Sequence, residues 1–140
     1  MVLVKVFLDS AYVIALLSST DKYHQQAEKL AEQMEMKETK LVTTQAIVLE
    51  IGNALAKMRY RRAAIELIDS FIEDPNIEIV SLSQRLWERA INRFQERPDK
   101  EWGLTDCISF IVMEDYGLTE ALTTDNHFNQ AGFQVLLSAS

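Results

Sequence analysis

The stretch Val2-Leu3-Val4-Lys5-Val6-Phe7-Leu8-Asp9 decides the fold. Apart from Lys5, every residue before Asp9 is an apolar strand former, and the run is continuous where a strand with one face in water would alternate. That pattern predicts a strand buried on both sides, as in a parallel sheet covered by helices. The run ends at a carboxylate, so an acid stands at the carboxyl end of the first strand.

Working outward, residues 10–18 predict a helix. A second, amphipathic helix follows Thr20 or Asp21 as its cap, with Ala27, Leu30, Ala31 and Met34 on one stripe. Residues 40–43 predict a short strand. Thr44 is placed to cap a helix running to about residue 58, whose stripe is Ile47, Ile51, Leu55 and Met58. The next helix spans roughly 61–73 and ends at Asp74-Pro75, because the residue before proline avoids helical angles. Residues 77–82 read as strand, Ser83 caps a helix that stops near Pro98, and a helix over 105–116 closes at Gly117. Short strands over 121–124 and 133–137 finish the chain. Strands alternating with helices argue for a parallel sheet covered on both faces by right-handed crossovers.

With 140 residues and only 4 Gly and 2 Pro, the chain reads as a single domain over 1–140 with no flexible linker. Cys107 stands alone, which excludes an internal disulfide and fits a reducing compartment. The start has Lys5 inside its apolar run and no small-residue cleavage site, and no apolar run is long enough to cross a bilayer. A cytoplasmic protein with no membrane partner is expected.

The net charge of -7 argues at first against a polyanionic partner, since nucleic-acid affinity comes mainly from Lys and Arg neutralising phosphates. Distribution matters more than the sum. Lys57, Arg59, Arg61 and Arg62 crowd together and form a candidate RNA contact, while Arg85, Arg89, Arg93 and Arg97 recur at every fourth residue. For both groups a solvated helical face, with Glu88 and Glu96 as local partners, is the plainer account.

In an open parallel sheet, ligands bind beyond the carboxyl ends of the strands. Asp9 directly follows the first strand and Asp125 the fourth, so both belong to one edge, although an acid there is equally an ordinary helix cap. Glu50 lies about 60° from the centre of its helix's apolar stripe, a margin where acids seldom stand without a partner. It is a site residue, a snorkelling surface glutamate or a structural pair for an arginine. Asp106 falls in the first turn of its helix, where the helix dipole alone would favour it. Asp99, beside Pro98, reads as a loop residue.

Taken together, Asp9, Glu50, Asp106 and Asp125 suggest a pocket of like charges that needs a cation to neutralise it. Oxygen ligands select Mg²⁺ or Mn²⁺, and the absence of a Cys or His cluster argues against zinc. Such ions bind a phosphodiester oxygen and activate water, so nucleic acid can be cleaved with no protein nucleophile. Dinucleotide and nucleoside triphosphate binding lack their glycine-rich loops. His24 and His127 stand isolated; a contact from His127 to the site is weighed against a surface or packing histidine, which is preferred.

Four segments then carry a resemblance: Val6-Phe7-Leu8-Asp9-Ser10, Val48-Leu49-Glu50-Ile51-Gly52-Asn53-Ala54-Leu55, Trp102-Gly103-Leu104-Thr105-Asp106-Cys107-Ile108-Ser109 and Leu122-Thr123-Thr124-Asp125-Asn126-His127-Phe128. In this order over essentially the whole chain they resemble PIN-domain ribonucleases, closest to the VapC-type toxins of toxin-antitoxin pairs. The resemblance implies a three-layer α/β/α fold with a four- or five-stranded parallel sheet, and metal-dependent endoribonuclease activity. It implies Asp9, Glu50, Asp106 and Asp125 as the catalytic, metal-holding acids, with Ser10, Asn53, Thr105 and Thr124 as supporting polar residues. Gly103 departs from the small hydroxyl residue frequent before Leu-Thr-Asp. A homodimer is implied, restrained by a small antitoxin whose tail reaches the acids. Two alternatives remain: a non-catalytic RNA-binding or regulatory module of the same fold, and a phosphatase using Asp9, for which the Asp-x-Asp pattern is missing.

Overall fold

A computed structural model describes residues 4–138. In chain order the elements are β1 (Lys5–Leu8), α1 (Ser10–Leu17), α2 (His24–Met36), β2 (Lys40–Thr44), α3 (Gln45–Ala54) and α4 (Met58–Glu73). These are followed by β3 (Ile77–Val80), α5 (Gln84–Glu96), α6 (Leu104–Asp115), β4 (Glu120–Leu122), α7 (Asn126–Gln130) and β5 (Gln134–Val135). The five strands form one parallel sheet in the order β3-β2-β1-β4-β5. Right-handed crossovers then require α1–α4 on one face and α5–α7 on the other, giving the expected three layers.

β1 is the central strand, with Val6, Phe7 and Leu8 at 0%, 0% and 1% exposure, as its unbroken apolar run requires. Val2 and Leu3, which open the run in the sequence, lie outside the described residues. Chain direction across the sheet reverses at β1: β2 and β3 are laid down on one side, β4 and β5 on the other. The crevice between the carboxyl ends of β1 and β4 is therefore the switch point of the fold.

The caps that the sequence marks are made. Thr44 Oγ1 accepts from the Ile47 N–H at 3.1 Å, Ser83 Oγ from the Leu86 N–H at 3.1 Å, and Gly117 takes φ +65° behind α6. β3, β4 and β5 end two residues short of expectation, at Val80, Leu122 and Val135, and two helix boundaries also differ. Asp21 accepts from the Tyr23 N–H at 2.8 Å and so forms a turn, which delays α2 to His24. α3 stops at Ala54, Lys57 adopts an extended ψ of 147°, and Met58 opens a new helix with 92% of its surface exposed. Ala54-Leu55-Ala56-Lys57-Met58 consists of good helix formers, so tertiary packing, not propensity, sets this break.

Candidate active site

Register builds the site first. Leu8 of β1 pairs with Leu122 of β4, so the next residues along, Asp9 and Thr123, leave the sheet side by side. Asp9 N–H still bonds the Leu122 carbonyl at 3.2 Å. Both side chains are buried, Asp9 at 7% and Thr123 at 0% exposure. Thr123 Oγ1 donates to Asp9 Oδ2 at 2.6 Å and accepts from the Asp125 N–H at 3.0 Å, tying the two strand ends together.

The capping account separates the two strand-end acids. Asp125 is a cap: as the residue before α7, its Oδ1 accepts from the His127 N–H at 2.9 Å. Asp9 precedes α1 but makes no side-chain cap bond to it. Burial pushes the Asp9 carboxyl up to about 6, against the hydrogen bonds of Thr123 and the Ser10 backbone, while Glu50 and Asp106 push the same way as burial. A buried carboxylate so far from its ordinary range, at the carboxyl end of a parallel strand, is a candidate site residue.

An aromatic cluster brings the remaining acids in. Phe110 of α6 packs edge-on against Phe128 of α7 and Trp102 of the preceding loop, with ring centroids 5.0 Å apart in both pairs. The N-termini of α6 and α7 are thereby placed together. Asp106 Oδ2 accepts from the Gly103 N–H at 3.1 Å and lies 3.0 Å from His127 Nδ1, which is also 3.4 Å from Asp125 Oδ1. Burial raises the Asp106 carboxyl, Gly103 and His127 lower it, and Asp125 raises it again.

Glu50 comes from α3. The residue is exposed, but its carboxylate end is turned into the site, where Ser10 Oγ donates to Oε1 at 3.1 Å. Partial burial raises it, Ser10 and Thr105 hydrogen bonds hold it down, and Asp106 and Asp125 push it up. The main charges bearing on Asp9 and Glu50 are thus other carboxylates.

The four acids named from sequence therefore converge, with Ser10 and Thr105 in contact with them. Asn53 is exposed farther along α3, and the hydroxyl joining Asp9 to Asp125 belongs to Thr123, not to its neighbour Thr124. His127, which the sequence suggests is a surface or packing residue, sits between two of the acids. The arginine stripe is also placed differently: Arg89 pairs with Asp115, Arg93 with Glu114 and Arg97 with Asp99, instead of with Glu88 and Glu96. Lys57, Arg59, Arg61 and Arg62 are exposed at the junction of α3 and α4.

The donor set suits a divalent cation. Ligand atoms of Asp106, Asp125 and His127 lie within 4.8 Å of one another and could hold a metal ion, and the carboxylates of Asp9 and Glu50 bring further negative charge close by.

The family model described as PIN domain matches residues 6–134. Among solved structures the chain is similar to VapC20 of Mycobacterium tuberculosis, described as a sarcin-ricin loop cleaving toxin. The two share 24% identity over 91% of this chain and 95% of that one, with a TM-score of 0.81, and at that identity the likeness speaks for the fold. No curated protein matches the chain.

Proposed function

The chain belongs to the PIN domain family, and from that premise we propose that it is a Mg²⁺- or Mn²⁺-dependent endoribonuclease, the toxin of a type II toxin-antitoxin pair. The observation that carries this reading is the convergence of Asp9, Glu50, Asp106 and Asp125 at the switch point, with Asp9 buried beside further carboxylates. Neither alternative accounts for it. A binding module has no use for carboxylates that repel a phosphate backbone, and a phosphatase would need a second aspartate that the sequence lacks at position 11.

Asp106 and Asp125 would hold the cation from the N-termini of α6 and α7, with Asp9 behind them supplying charge from the end of β1. When bound, the ion would polarise the scissile phosphate and make a water acidic enough to attack it. Glu50, open to solvent and hydrogen-bonded by Ser10, would take the proton of that water. Thr123 fixes Asp9 through one carboxylate oxygen. The exposed basic residues Lys57, Arg59, Arg61 and Arg62 would contact the RNA backbone beyond the acids.

An antitoxin with a basic tail suits the same acids, because a guanidinium would compensate the charge that a cation does. We place the protein in the cytoplasm as a homodimer, following the family resemblance; no described helix is long and apolar enough to cross a membrane. The purified protein is expected to cut structured RNA with Mg²⁺ or Mn²⁺ and to lose that activity with EDTA or Asp9→Asn. Cleavage unchanged by both treatments would refute the reading.

A further inference from the structure

We propose that His127 is a positioning residue that aims the Asp106 carboxylate into the cation site through its Nδ1–H, so that Nδ1 itself is not a cation ligand. The inference rests on the metal-dependent reading above and goes beyond it in assigning a task to a residue outside the acidic quartet.

The geometry is specific. Two donors meet one oxygen: the Gly103 N–H lies 3.1 Å and His127 Nδ1 3.0 Å from Asp106 Oδ2. An ionised carboxylate only accepts, so Nδ1 carries the hydrogen in this contact. With Oδ2 occupied twice, Oδ1 is the oxygen left to bind a cation, which makes Asp106 a one-oxygen ligand of fixed direction. Nδ1 is also 3.4 Å from Asp125 Oδ1, so the same ring spans the two carboxylates that α6 and α7 bring together.

A direct ligand role for Nδ1 would require giving up the Asp106 bond and its hydrogen. That would leave Asp106 held on one side alone and cost the site a carboxylate orientation to gain a nitrogen. Hydrogen bonds to ligating carboxylates tune a metal site in this way, and their loss typically weakens metal affinity on the order of 10- to 100-fold. The ring itself is well seated for the task. Its backbone N–H is held by Asp125 Oδ1 at 2.9 Å, and the next residue, Phe128, is fully buried. The cap bond uses the backbone, so it survives substitution of the side chain.

Mn²⁺ binding to the whole protein, followed by the electron paramagnetic resonance signal of the free ion, tests this without reference to cleavage. His127→Ala should bind Mn²⁺ on the order of 10- to 100-fold more weakly than the wild type. His127→Asn should restore most of the affinity, because the asparagine amide nitrogen stands one bond from Cγ, as Nδ1 does, and can donate to Asp106 Oδ2.

Unchanged affinity in His127→Ala, or failure of His127→Asn to restore affinity despite an unaltered fold, would each overturn the proposal. Absence of Mn²⁺ binding by the wild type would instead sink the metal-dependent reading, and this proposal with it.

Discussion

Thr123 Oγ1 donates a 2.6 Å hydrogen bond to Asp9 Oδ2 although the two residues are 114 apart in sequence. The contact is a direct result of parallel register, since β1 and β4 pair Leu8 with Leu122 just before both chains leave the sheet. It is also a check on Asp9: the hydroxyl lowers a carboxyl that burial otherwise raises.

Thr123→Val removes that donor while keeping the shape. The Asp9 carboxyl should rise above about 6, because the largest influence holding it down is gone. Metal affinity at pH 7 should fall on the order of 10-fold, as for other lost hydrogen bonds around a metal site, and recover as pH is raised. Mn²⁺ titrations at several pH values measure this, with Thr124→Val as the comparison that should bind normally. Equal effects of the two substitutions would remove Thr123 from the site.

Asp9→Asn should stabilise the metal-free protein at pH 7 while abolishing cleavage. The folded-state value of about 6 lies above the ordinary 3.8, so the folded protein binds the proton more tightly than the unfolded chain does. The stabilising contribution is present below about pH 4 and is lost as pH rises through about 6. The loss at pH 7 amounts to about 3 kcal/mol at most, since each tenfold change in proton affinity is worth about 1.4 kcal/mol. Asparagine cannot ionise and still accepts from Thr123. Thermal melts without metal should show the wild type losing stability between pH 4 and pH 7 and the variant losing less; Mg²⁺ should raise the wild-type Tm more. Parallel pH profiles would mean that burial does not disfavour the Asp9 charge.

Particular residues show what sequence carries. The unbroken run ending at Asp9, and Thr44 and Ser83 at their caps, are local signals, and local rules read them. Thr124 comes from the family resemblance alone; that Thr123 is the hydroxyl meeting Asp9 depends on strand register, which the motif does not reveal. The break at Lys57 leaves no trace in propensity. The partners of Arg89 and Arg93 lie on α6, which helical spacing within α5 cannot reveal. His127 has a faint signal: an aspartate that caps a short helix brings the residue two positions later back to its own carboxylate.

The arginines of α5 should matter neither to cleavage nor much to stability. Arg89 and Arg93 form two-point ion pairs with Asp115 and Glu114, but all four side chains are partly exposed, at 27–48% of their surface. Exposed pairs contribute about 0–1 kcal/mol. Glu114 is eight residues beyond Asp106 on α6, about 12 Å along the axis. Arg89→Ala and Arg93→Ala should therefore each lower stability by less than about 1 kcal/mol in urea melts and leave the cleavage rate within a factor of about two. A collapse of cleavage in a folded variant would place RNA on α5.

The basic residues at the start of α4 should behave differently. Arg61 and Arg62 are exposed, and alanine suits a helix, so replacing both leaves the fold intact. If they neutralise phosphates, each one removed should cut the slope of log affinity against log salt by about 0.7 for single-stranded RNA, independently of sequence. Arg61→Ala/Arg62→Ala should then bind RNA more weakly at low salt and converge with the wild type as salt is raised. Mn²⁺ affinity should stay unchanged, because neither residue touches the acids. Filter binding across a salt series reads the slope, and an unchanged slope would leave these residues as a solvated helical face.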